Sequence, residues 1–592
     1  MKTKSEESSF NKRNYFVTLA IMTVLAVLFW RSLFFTDKTA TAIKILDVFV
    51  VFVLVIVLPI LFVKVRSLNS FVTSVIEPFP RAIKQLKTDF KKIIIWIAAY
   101  GVAIAAIVAG NWLYDHNVRA TYTNWNRILL FVAIALIIGV LIKYRNECYE
   151  KAHIVFALIA LILGLLFIII SPAGVGLSWD DQIHYGRTLI ISSVFDGTLY
   201  EADAYQVFYR PITGLLTKGA LVDYENGINA YYQSRTLVDG LDLGVDSVGV
   251  FNVSYVPCAI GIIIGRGLGL SYVSVFNLGR AFNLFFYVLI MALGIKRLNR
   301  GKILMAAFAL TPTIVFLAGT YHYDSWINAL ICCGYCHYIA AYQDNAHGRS
   351  VKQKDLIIAA VMIVLGCIPK AVYCPLLIPL FFVPKSFLGE HRKRYYIAIS
   401  SLLAIILVVF AFPYLASSAW LSGDQRFGGE VNSGSQITFI LQNPLQYMKI
   451  LFDFCKMYVD PSYFSSWANF FAYLGMGPIS GLWWCVLLVL AFIDRDENQN
   501  KDLLARVIGI IMIVGTLVLI VTALYVSISE IGSSEIRGVQ PRYLFPLLLP
   551  LFWFAIRPKT TNASQNKMAI FSFVIMSALF LSTIHQTLVL PY

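Results

Sequence analysis

The sequence predicts an all-α polytopic membrane protein, a bundle of transmembrane helices with short amphipathic helices in its outer loops. Of its 592 residues, 58% are hydrophobic and only 14% are charged, and the mean hydropathy is +0.72. The polar residues are too few to cover the surface of soluble domains of this total length. An aromatic content of 14% fits a chain that crosses many membrane–water interfaces. The composition excludes a disordered chain, a coiled coil, collagen and a disulfide scaffold.

The excess of positive charge, +15 in total, lies in short loops between apolar stretches. This placement is typical of the positive-inside rule and does not indicate nucleic-acid binding. The nine cysteines are odd in number and most lie inside apolar runs, so they predict no disulfide framework. The group Cys332, Cys333, Cys336 and His337 lies within an apolar stretch and has no second ligand pair, which favours helix packing over a metal site.

Apolar stretches of about the 20 residues that a helix needs to cross lipid predict the membrane spans. Five of these stretches precede the first long loop, and the first of them is expected to be an uncleaved span because it is too long for the hydrophobic region of a signal peptide and is followed by no A-x-A-like cleavage site. The fifteen expected spans are 15–35, 43–63, 92–111, 127–143, 153–171, 272–295, 303–319, 324–342, 355–369, 371–384, 395–414, 476–493, 506–527, 542–557 and 568–588.

The basic residues predict which side of the membrane each loop occupies. Lysines and arginines among the first 13 residues predict a cytoplasmic N-terminus, and the basic loops 64–92, 296–302 and 385–394 fall on the same side. This agreement requires that the apolar segment 251–265 does not cross the membrane. We therefore expect an amphipathic juxtamembrane helix there and an extracytoplasmic C-terminus.

Two long segments are then expected on the outer face of the cell membrane. Segment 172–246 carries ten acidic and four basic residues, a charge opposite to that of the whole chain. Segment 415–475 contains Asn443-Pro444 followed by an apolar-periodic stretch to about 457, which resembles an N-capped helix lying on the membrane. Together they are expected to roof one cavity of a catalytic module, 151–592, and residues 1–150 are expected to form accessory transmembrane helices.

The motif SWDDQIHYGR begins the outer segment 172–246 and carries the first candidate residues. Asp180, His184 and Arg187 share one face if the motif is helical, and Asp181 flanks that face. In one interpretation this is a capping box with Ser178 as N-cap. In the other, a carboxylate close to the membrane takes a proton from an acceptor hydroxyl or holds a divalent cation, and His184 binds the metal or orients the substrate.

Three further turns bring polar side chains to the same expected face. Taken singly, such residues are typical interfacial anchors. Together they provide the cations and carboxylates that a lipid-linked phosphate donor and a sugar acceptor would need. The candidate substrate-binding residues of these turns are His322, Tyr323, Asp324, Lys370, Tyr373, Arg537, Gln540, Arg542 and Tyr543.

A resemblance to known proteins follows from these motifs. The order of an acidic motif, a juxtamembrane Pro segment (YVPCAIGIIIGRGLGLS), an Arg-containing span (LGRAFNLFF) and P-x(11)-D in TPTIVFLAGTYHYD is similar to the GT-C superfamily of integral-membrane glycosyltransferases. SWDDQIHYGR, YVPCAIGIIIGRGLGLS, TYHYD, PKAVYCP and QPRYLFPLLLP look like the bacterial family known as domain of unknown function 2142, over about 153–590. The resemblance implies a polyprenyl-phosphate sugar donor and an acceptor-activating acid, Asp180 or Asp181.

The sequence therefore predicts an inverting glycosyltransferase that modifies a cell-surface glycan or cell-wall polymer at the outer face, with no nucleic-acid partner. The sequence leaves open whether Asp180, Asp181 and His184 hold a divalent cation, Mg²⁺ or Mn²⁺. It also leaves two alternative functions: a lipid-glycan flippase or transporter, and a non-catalytic cell-envelope assembly protein. A flippase would place charged residues near mid-bilayer and would show repeat symmetry, and neither is visible in the sequence.

Overall fold

The computed structural model describes residues 90–118, 123–192, 223, 226–227, 250–416, 431–495, 503–559 and 564–591. The expected spans 15–35 and 43–63, the basic loop 64–92 apart from its last residues and most of the outer segment after 192 lie outside these residues. The described residues form 19 α-helices and no strand. The prediction of an all-α polytopic membrane protein is confirmed.

The helices are numbered in chain order. The first ten are α1 (Phe90–Asn117), α2 (Trp125–Tyr144), α3 (Ala152–Ile170), α4 (Asp181–Ser192), α5 (Val256–Gly267), α6 (Tyr272–Arg297), α7 (Lys302–Ala309), α8 (Pro312–Ala318), α9 (Asp324–Ala346) and α10 (Gln353–Cys367). The remaining nine are α11 (Ile378–Phe381), α12 (Arg392–Ala416), α13 (Ser433–Gln442), α14 (Pro444–Tyr458), α15 (Pro461–Trp467), α16 (Gly481–Ile493), α17 (Leu503–Ile528), α18 (Phe545–Ala555) and α19 (Gln565–Ile584).

Five helices of the described part are long and apolar enough to cross a membrane by length and composition. They are α2, α3, α6, α17 and the C-terminal helix Gln565–Val589, which includes α19 and a π-helical last turn. Two of them begin at side-chain caps: Asn124 accepts a hydrogen bond from the backbone of Arg127 at 3.0 Å, and Ser271 accepts one from Ser274 at 3.4 Å.

Three expected spans are corrected because prolines divide them into shorter pieces. The span 303–319 is two helices, α7 and α8, and the second begins at Pro312. The span 371–384 is a 3₁₀-helix followed by the four-residue α11, and the span 542–557 begins as the 3₁₀-turn Pro541–Leu544 before α18. Proline lacks the N–H group that a continuous helix would use, so an apolar run of sufficient length does not form one helix here.

One end of the bundle collects loops expected in the cytoplasm, and we call it the basic-loop end after residues 297–302. There Arg297 pairs with Asp344 at 2.6 Å and with Asp355 at 2.8 Å, and Lys302 pairs with Glu150 at 2.8 Å. These partners come from turns that the basic-residue pattern assigns to one side. Their convergence fits the expected alternation of the helices.

The opposite end, called the acidic-loop end, begins with residues 171–181 and collects turns expected outside. Backbone N–H of Tyr473 donates to the carbonyl of Leu177 at 3.3 Å, so the second outer segment contacts the first. The 3₁₀-helix Val250–Tyr255 and α5 also lie against α4. With 12 residues, α5 extends about 18 Å, too short to cross a bilayer, as the topology requires.

Helix α14 corresponds to the helix expected on the membrane in the second outer segment. Its apolar side chains Leu445, Met448 and Phe452 are exposed and share one face. Asn443 stands at the N-cap position as expected, but its amide donates to the carbonyl of Phe439 and makes no capping bond to α14. An exposed apolar stripe of this kind fits contact with lipid.

The first helices of the described part pack beside the C-terminal helix. Arg127 of α2 pairs with the buried Asp115 of α1 at 2.5 Å, and the Asn124 and Asn126 amides donate to the carbonyls of Val589 and Leu588. A cavity of about 440 Å³ lies between these elements, and none of the candidate site residues lines it. The domain boundary near 150 stays a prediction.

Cysteine labelling tests the expected sidedness. With an impermeant thiol reagent on intact cells, we expect modification of Ser234→Cys and Ser534→Cys and none of Ser350→Cys, because the first two lie in segments expected outside and the third in a turn of the basic-loop end. Labelling at each site is read by mass spectrometry of its own peptide, which separates it from the native cysteines. The reverse pattern would place the acidic-loop end in the cytoplasm.

Candidate functional site

A group of charged and aromatic side chains lies at the acidic-loop end, contributed by segments far apart in the chain. They come from the start of α4, the 3₁₀-helix Val250–Tyr255, the turn before α9, the turn after α10 and the turn before α18. Prolines and glycines interrupt the helices at these points, so the segments present polar side chains instead of continuing as apolar spans.

Asp324 is the centre of this group. Its Oδ1 lies 3.2 Å from Lys370 Nζ and its Oδ2 lies 2.5 Å from Arg542 Nη1. Asp324 and Arg542 are only 4% and 3% exposed, so the ion pair is largely removed from water. Removing one partner of such a pair typically destabilises a protein by about 3–5 kcal/mol, because the other charge stays buried. Asp324 therefore fixes the positions of two cations.

Arg542 makes further contacts that hold its guanidinium plane in one orientation. Its Nε donates to Gln540 Oε1 at 2.5 Å, and its Nη1 lies 2.6 Å from His322 Nε2. The guanidinium carbon lies 4.3 Å from the ring centroid of Trp179. Arginine is suited to planar recognition of phosphate and to stacking on aromatic faces, and both properties are available here.

Lys370 lies between two tyrosine rings. Its Nζ is 3.8 Å from the ring centroid of Tyr543 and 5.0 Å from that of Tyr323. The Tyr373 hydroxyl donates to the carbonyl of Tyr543 at 2.7 Å, which joins the turn after α10 to the turn before α18. The structure thus places Tyr373 and Tyr543, together with Lys370, beside Asp324.

The turn before α9 is held by a buried asparagine of α6. Asn283 Nδ2 donates to the carbonyl of Thr320 at 2.7 Å, and its Oδ1 accepts from Ser325 Oγ at 3.0 Å. Within the turn, the backbone N–H of Asp324 lies 3.0 Å from His322 Nδ1. Both ring nitrogens of His322 therefore face donors, and burial together with the charges of Arg542 and Lys370 lowers its pKa well below the ordinary value.

Arg280, the arginine of the LGRAFNLFF span, binds the residue just before this turn and the residue that follows α3. It is 1% exposed, and it donates to the carbonyl of Gly319 at 2.8 Å and to Ser171 Oγ at 2.7 Å. Its guanidinium thus joins the ends of α3 and α8. These contacts assign Arg280 a structural role at the edge of the site.

The two acids of the SWDD motif lie in different environments. Asp181 is 4% exposed, and its carboxylate accepts hydrogen bonds from the backbone of Leu177 at 2.8 Å, from the backbone of Ser178 at 2.6 Å and from the Ser178 hydroxyl. Burial raises the pKa of Asp181 despite these bonds. The helix begins at Asp181, so Ser178 is not its N-cap, but the carboxylate of Asp181 is committed to its own segment as the capping interpretation expects.

Asp180 is half-buried and has a backbone φ of +55°. The left-handed region costs a residue other than glycine about 1–2 kcal/mol, and aspartate and asparagine tolerate it better than most. Among the described residues the other such case is Ala472, φ +47°, beside Tyr473. The charge of Asp180 is close enough to act on Arg542 and on Tyr473. Two strained turns therefore meet beside the cation group.

His184 and Arg187 extend the site along α4. His184 Nδ1 lies 2.7 Å from the Tyr255 hydroxyl, and its ring centroid is 4.4 Å from that of His322. Burial, the neighbouring His322 and the positive charges of Arg187 and Arg542 lower the pKa of His184 well below its ordinary value. The Tyr255 phenol is also hydrogen-bonded to Arg187.

Arg537 is the one cation of the expected set that the structure places elsewhere. Its Nη1 pairs with Glu530 Oε1 at 3.0 Å, and the two side chains are 37% and 45% exposed. Exposed pairs of this kind contribute little to stability, about 0–1 kcal/mol. Arg537 therefore lies on the surface of the loop before α18, outside the group around Asp324.

The sequence did not predict several aromatic residues of the site. Trp179 stacks on Trp467 with ring centroids 5.7 Å apart and an interplanar angle of 20°. Tyr473, 62% exposed, lies beside Asp180, and Tyr255 contacts His184. Trp179 lies in the motif SWDDQIHYGR and Tyr255 in the motif YVPCAIGIIIGRGLGLS, whereas Trp467 and Tyr473 lie in the outer segment 415–475. Aromatic residues in these motifs and in this segment were the sequence signal that could have identified them.

The residues present do not form an obvious metal site. In the described part of the chain, no three His, Cys, Asp or Glu side chains group closely enough to hold a metal ion. Asp181, one of the three expected ligands, has its carboxylate engaged by Leu177 and Ser178.

Fold and site together define an all-α membrane protein with a charged site at one end of its helix bundle. Residues 241–551 match the family described as predicted membrane protein (DUF2142), and the chain belongs to this family. The match is shorter than the expected 153–590: it includes Asp324, Lys370 and Arg542 and stops short of the SWDD motif. Comparison with curated proteins and with solved structures gives no match.

Proposed function

We propose that this protein is a GT-C-like glycosyltransferase that uses a polyprenyl-phosphate sugar and modifies a cell-surface glycan or cell-wall polymer at the outer face of the membrane. The observation that carries the proposal is a convergence of charges around the buried Asp324 at the acidic-loop end of the bundle. The converging residues are Asp180, Arg187, Lys370 and Arg542. A phosphate donor needs fixed cations, and an acceptor hydroxyl needs a carboxylate.

The donor phosphate is assigned to Arg542 and Lys370. Asp324 carries one negative charge against these two cations, so the group retains one positive charge for an anion. Arg542 is preorganised by Gln540 and Trp179, and preorganised donors lose little free energy in reorienting when charge develops on the leaving group.

The acceptor-activating acid is assigned to Asp180. Geometry comes before pKa in choosing a general base, and the Asp181 carboxylate is already bound by two backbone N–H groups and one hydroxyl. Asp180 is half-buried, stands in a strained turn and lies near Arg542. Strain of this kind clusters at functional sites.

The proposed reaction is a single displacement with inversion. The Asp180 carboxylate takes the proton of the acceptor hydroxyl as its oxygen attacks the anomeric carbon, and the bond between that carbon and the phosphate oxygen breaks. The polyprenyl phosphate leaves with the bonding electron pair, and Arg542 and Lys370 stabilise its negative charge. The flat faces of Trp467 and Tyr473 offer surfaces on which the apolar faces of sugar rings can pack.

Transfer by the purified full chain in nanodiscs tests the proposal. We expect sugar to pass from radiolabelled polyprenyl-phosphate donors to an envelope glycan acceptor, with equimolar release of polyprenyl phosphate. Arg349→Gln, a change at the basic-loop end, is the matched control and should retain the native rate. Movement of the intact donor across the bilayer without cleavage would favour a flippase, and binding without either activity an assembly protein.

Metal dependence is measured in the same assay. Loss of transfer in a chelator and its return with Mg²⁺ or Mn²⁺ would add a divalent cation to the mechanism. Unchanged transfer in the chelator would mean that Arg542 and Lys370 stabilise the negative charge of the leaving phosphate without a metal ion.

A further inference from the structure

Three side-chain nitrogens near α4 are buried and have no hydrogen-bond partner within the described ranges of the chain. They are His184 Nε2, Arg187 Nε and Asn252 Nδ2. His184 and Arg187 are three residues apart on one helix and so lie on the same face. Asn252 and Tyr255 are likewise three apart on a 3₁₀-helix, where side chains at this spacing eclipse, and Tyr255 contacts His184.

The hydrogen bonds of Tyr255 determine where the proton of His184 lies. The Tyr255 oxygen accepts from Arg187, so its own O–H is available for His184 Nδ1, 2.7 Å away. A neutral imidazole that accepts at Nδ1 carries its proton on Nε2. His184 Nε2 is then a donor, as are Arg187 Nε and the Asn252 amide nitrogen.

We propose that these three residues, called the donor face, bind an oxygen of the phosphoryl group that the site receives. Buried donors without partners are rare in proteins, and three in one place need an acceptor that the described part of the chain does not supply. The acceptor that fits a guanidinium and two neutral donors is an anionic oxygen. This inference rests on the proposed function, because it assigns the second side of the same donor phosphate.

The donor face differs from the Asp324 group in its charge balance. Arg542 and Lys370 both pair with Asp324, whereas Arg187 has no carboxylate partner among the residues that the structure describes. His184 serves as a neutral donor and not as a general base, which leaves proton removal to Asp180.

Binding of undecaprenyl phosphate and of inorganic phosphate to the full chain in nanodiscs tests the donor face without requiring transfer. By native mass spectrometry and by ³¹P NMR, we expect Arg187→Gln to weaken binding about 10- to 100-fold, as loss of a charge-assisted hydrogen bond implies. Arg349→Gln is the control and should bind as the native chain does. Weakening seen with either ligand supports the donor face and identifies the source of the phosphoryl group. Unchanged binding of both ligands by Arg187→Gln would overturn it.

Two substitutions of His184 test the tautomer. In His184→Gln the introduced amide reaches the place of Nε2, whereas in His184→Asn the shorter amide reaches only the place of Nδ1. We expect the first variant to bind undecaprenyl phosphate within about threefold of the native chain and the second about tenfold more weakly. Equal affinity in the two variants, at equal thermal stability, would refute donation from Nε2.

Tyr255→Phe removes the hydroxyl that fixes His184 and should weaken binding of undecaprenyl phosphate by a similar factor. Tyr287→Phe, which loses a hydrogen bond to the carbonyl of Ala309 away from the site, is its matched control. If Tyr255→Phe binds as tightly as Tyr287→Phe, the positioning role is wrong. If the donor face binds phosphate but the native chain transfers no sugar, the proposed function is refuted and this inference stands. If the native chain transfers sugar but Arg187→Gln binds both ligands as the native chain does, this inference is refuted and the proposed function stands.

Discussion

Purified Asp180→Asn protein is expected to lose transfer by about 10²- to 10⁴-fold, the usual cost of removing a general base. Its fold should be retained, because asparagine tolerates the left-handed backbone of residue 180 as well as aspartate does. Single-turnover rates with saturating donor, measured beside thermal unfolding in the same nanodiscs, separate chemistry from folding.

Asp181→Asn is the matched control for this prediction. Its amide is uncharged and accepts at one atom only, so the Ser178 hydroxyl must turn to accept from the new NH2 group and the charge-assisted bonds from Leu177 and Ser178 become neutral ones, at a cost of about 1–3 kcal/mol in all. We expect lower thermal stability and substantial remaining transfer in the folded fraction. If Asp181→Asn is inactive while Asp180→Asn turns over at the native rate, the assignment of the base is reversed, and if both are fully active no acid of this motif is catalytic.

Alanine at Arg542 should raise the donor concentration needed for half-maximal transfer by about tenfold or more, because a charge-assisted contact to phosphate is lost. Lys370→Ala should act in the same direction. Arg542→Lys keeps one charge and loses the planar fork, so its loss should be intermediate. Donor titrations at fixed acceptor measure the series.

The control for the cation series is Arg537→Ala. Arg537 lies in the same loop as Arg542, but it pairs with the exposed Glu530 and should not affect donor use. Arg542→Ala also leaves the buried Asp324 with Lys370 alone, so its stability should fall. The alternative, in which Lys370 and Arg542 are interfacial anchors, predicts reduced expression with native donor dependence in the surviving protein. That result in both alanine variants would remove the phosphate role.

The charged residues of the site could be predicted from the sequence because the topology alone gathers them. Polar residues at the ends of apolar spans are few, and alternation of the helices assigns Asp180, Asp324, Lys370 and Arg542 to one end. The structure brings these residues together. The same pattern assigned Arg537 to the site, because sequence spacing does not reveal that Glu530 pairs with it.

Other features of the site and the fold could not be predicted, because they depend on backbone geometry and on contacts that the periodicity of the sequence does not encode. Asp180 and Asp181 are identical in type and adjacent, and only the left-handed backbone of the first and the hydrogen bonds of the second distinguish them. Hydropathy predicted a continuous helix over 303–319, whereas Pro312 divides it into α7 and α8. Stacking of Trp467 on Trp179 joins segments far apart in the chain, beyond any local pattern.

The location of a bound carrier phosphate tests the central claim most directly. In a cryo-EM structure of the full chain with undecaprenyl phosphate in nanodiscs, we expect the phosphorus at the acidic-loop end, within contact distance of Arg542 and Arg187 and beside Asp180. A phosphate bound near the middle of the bundle, away from these side chains, would contradict the account and favour transport.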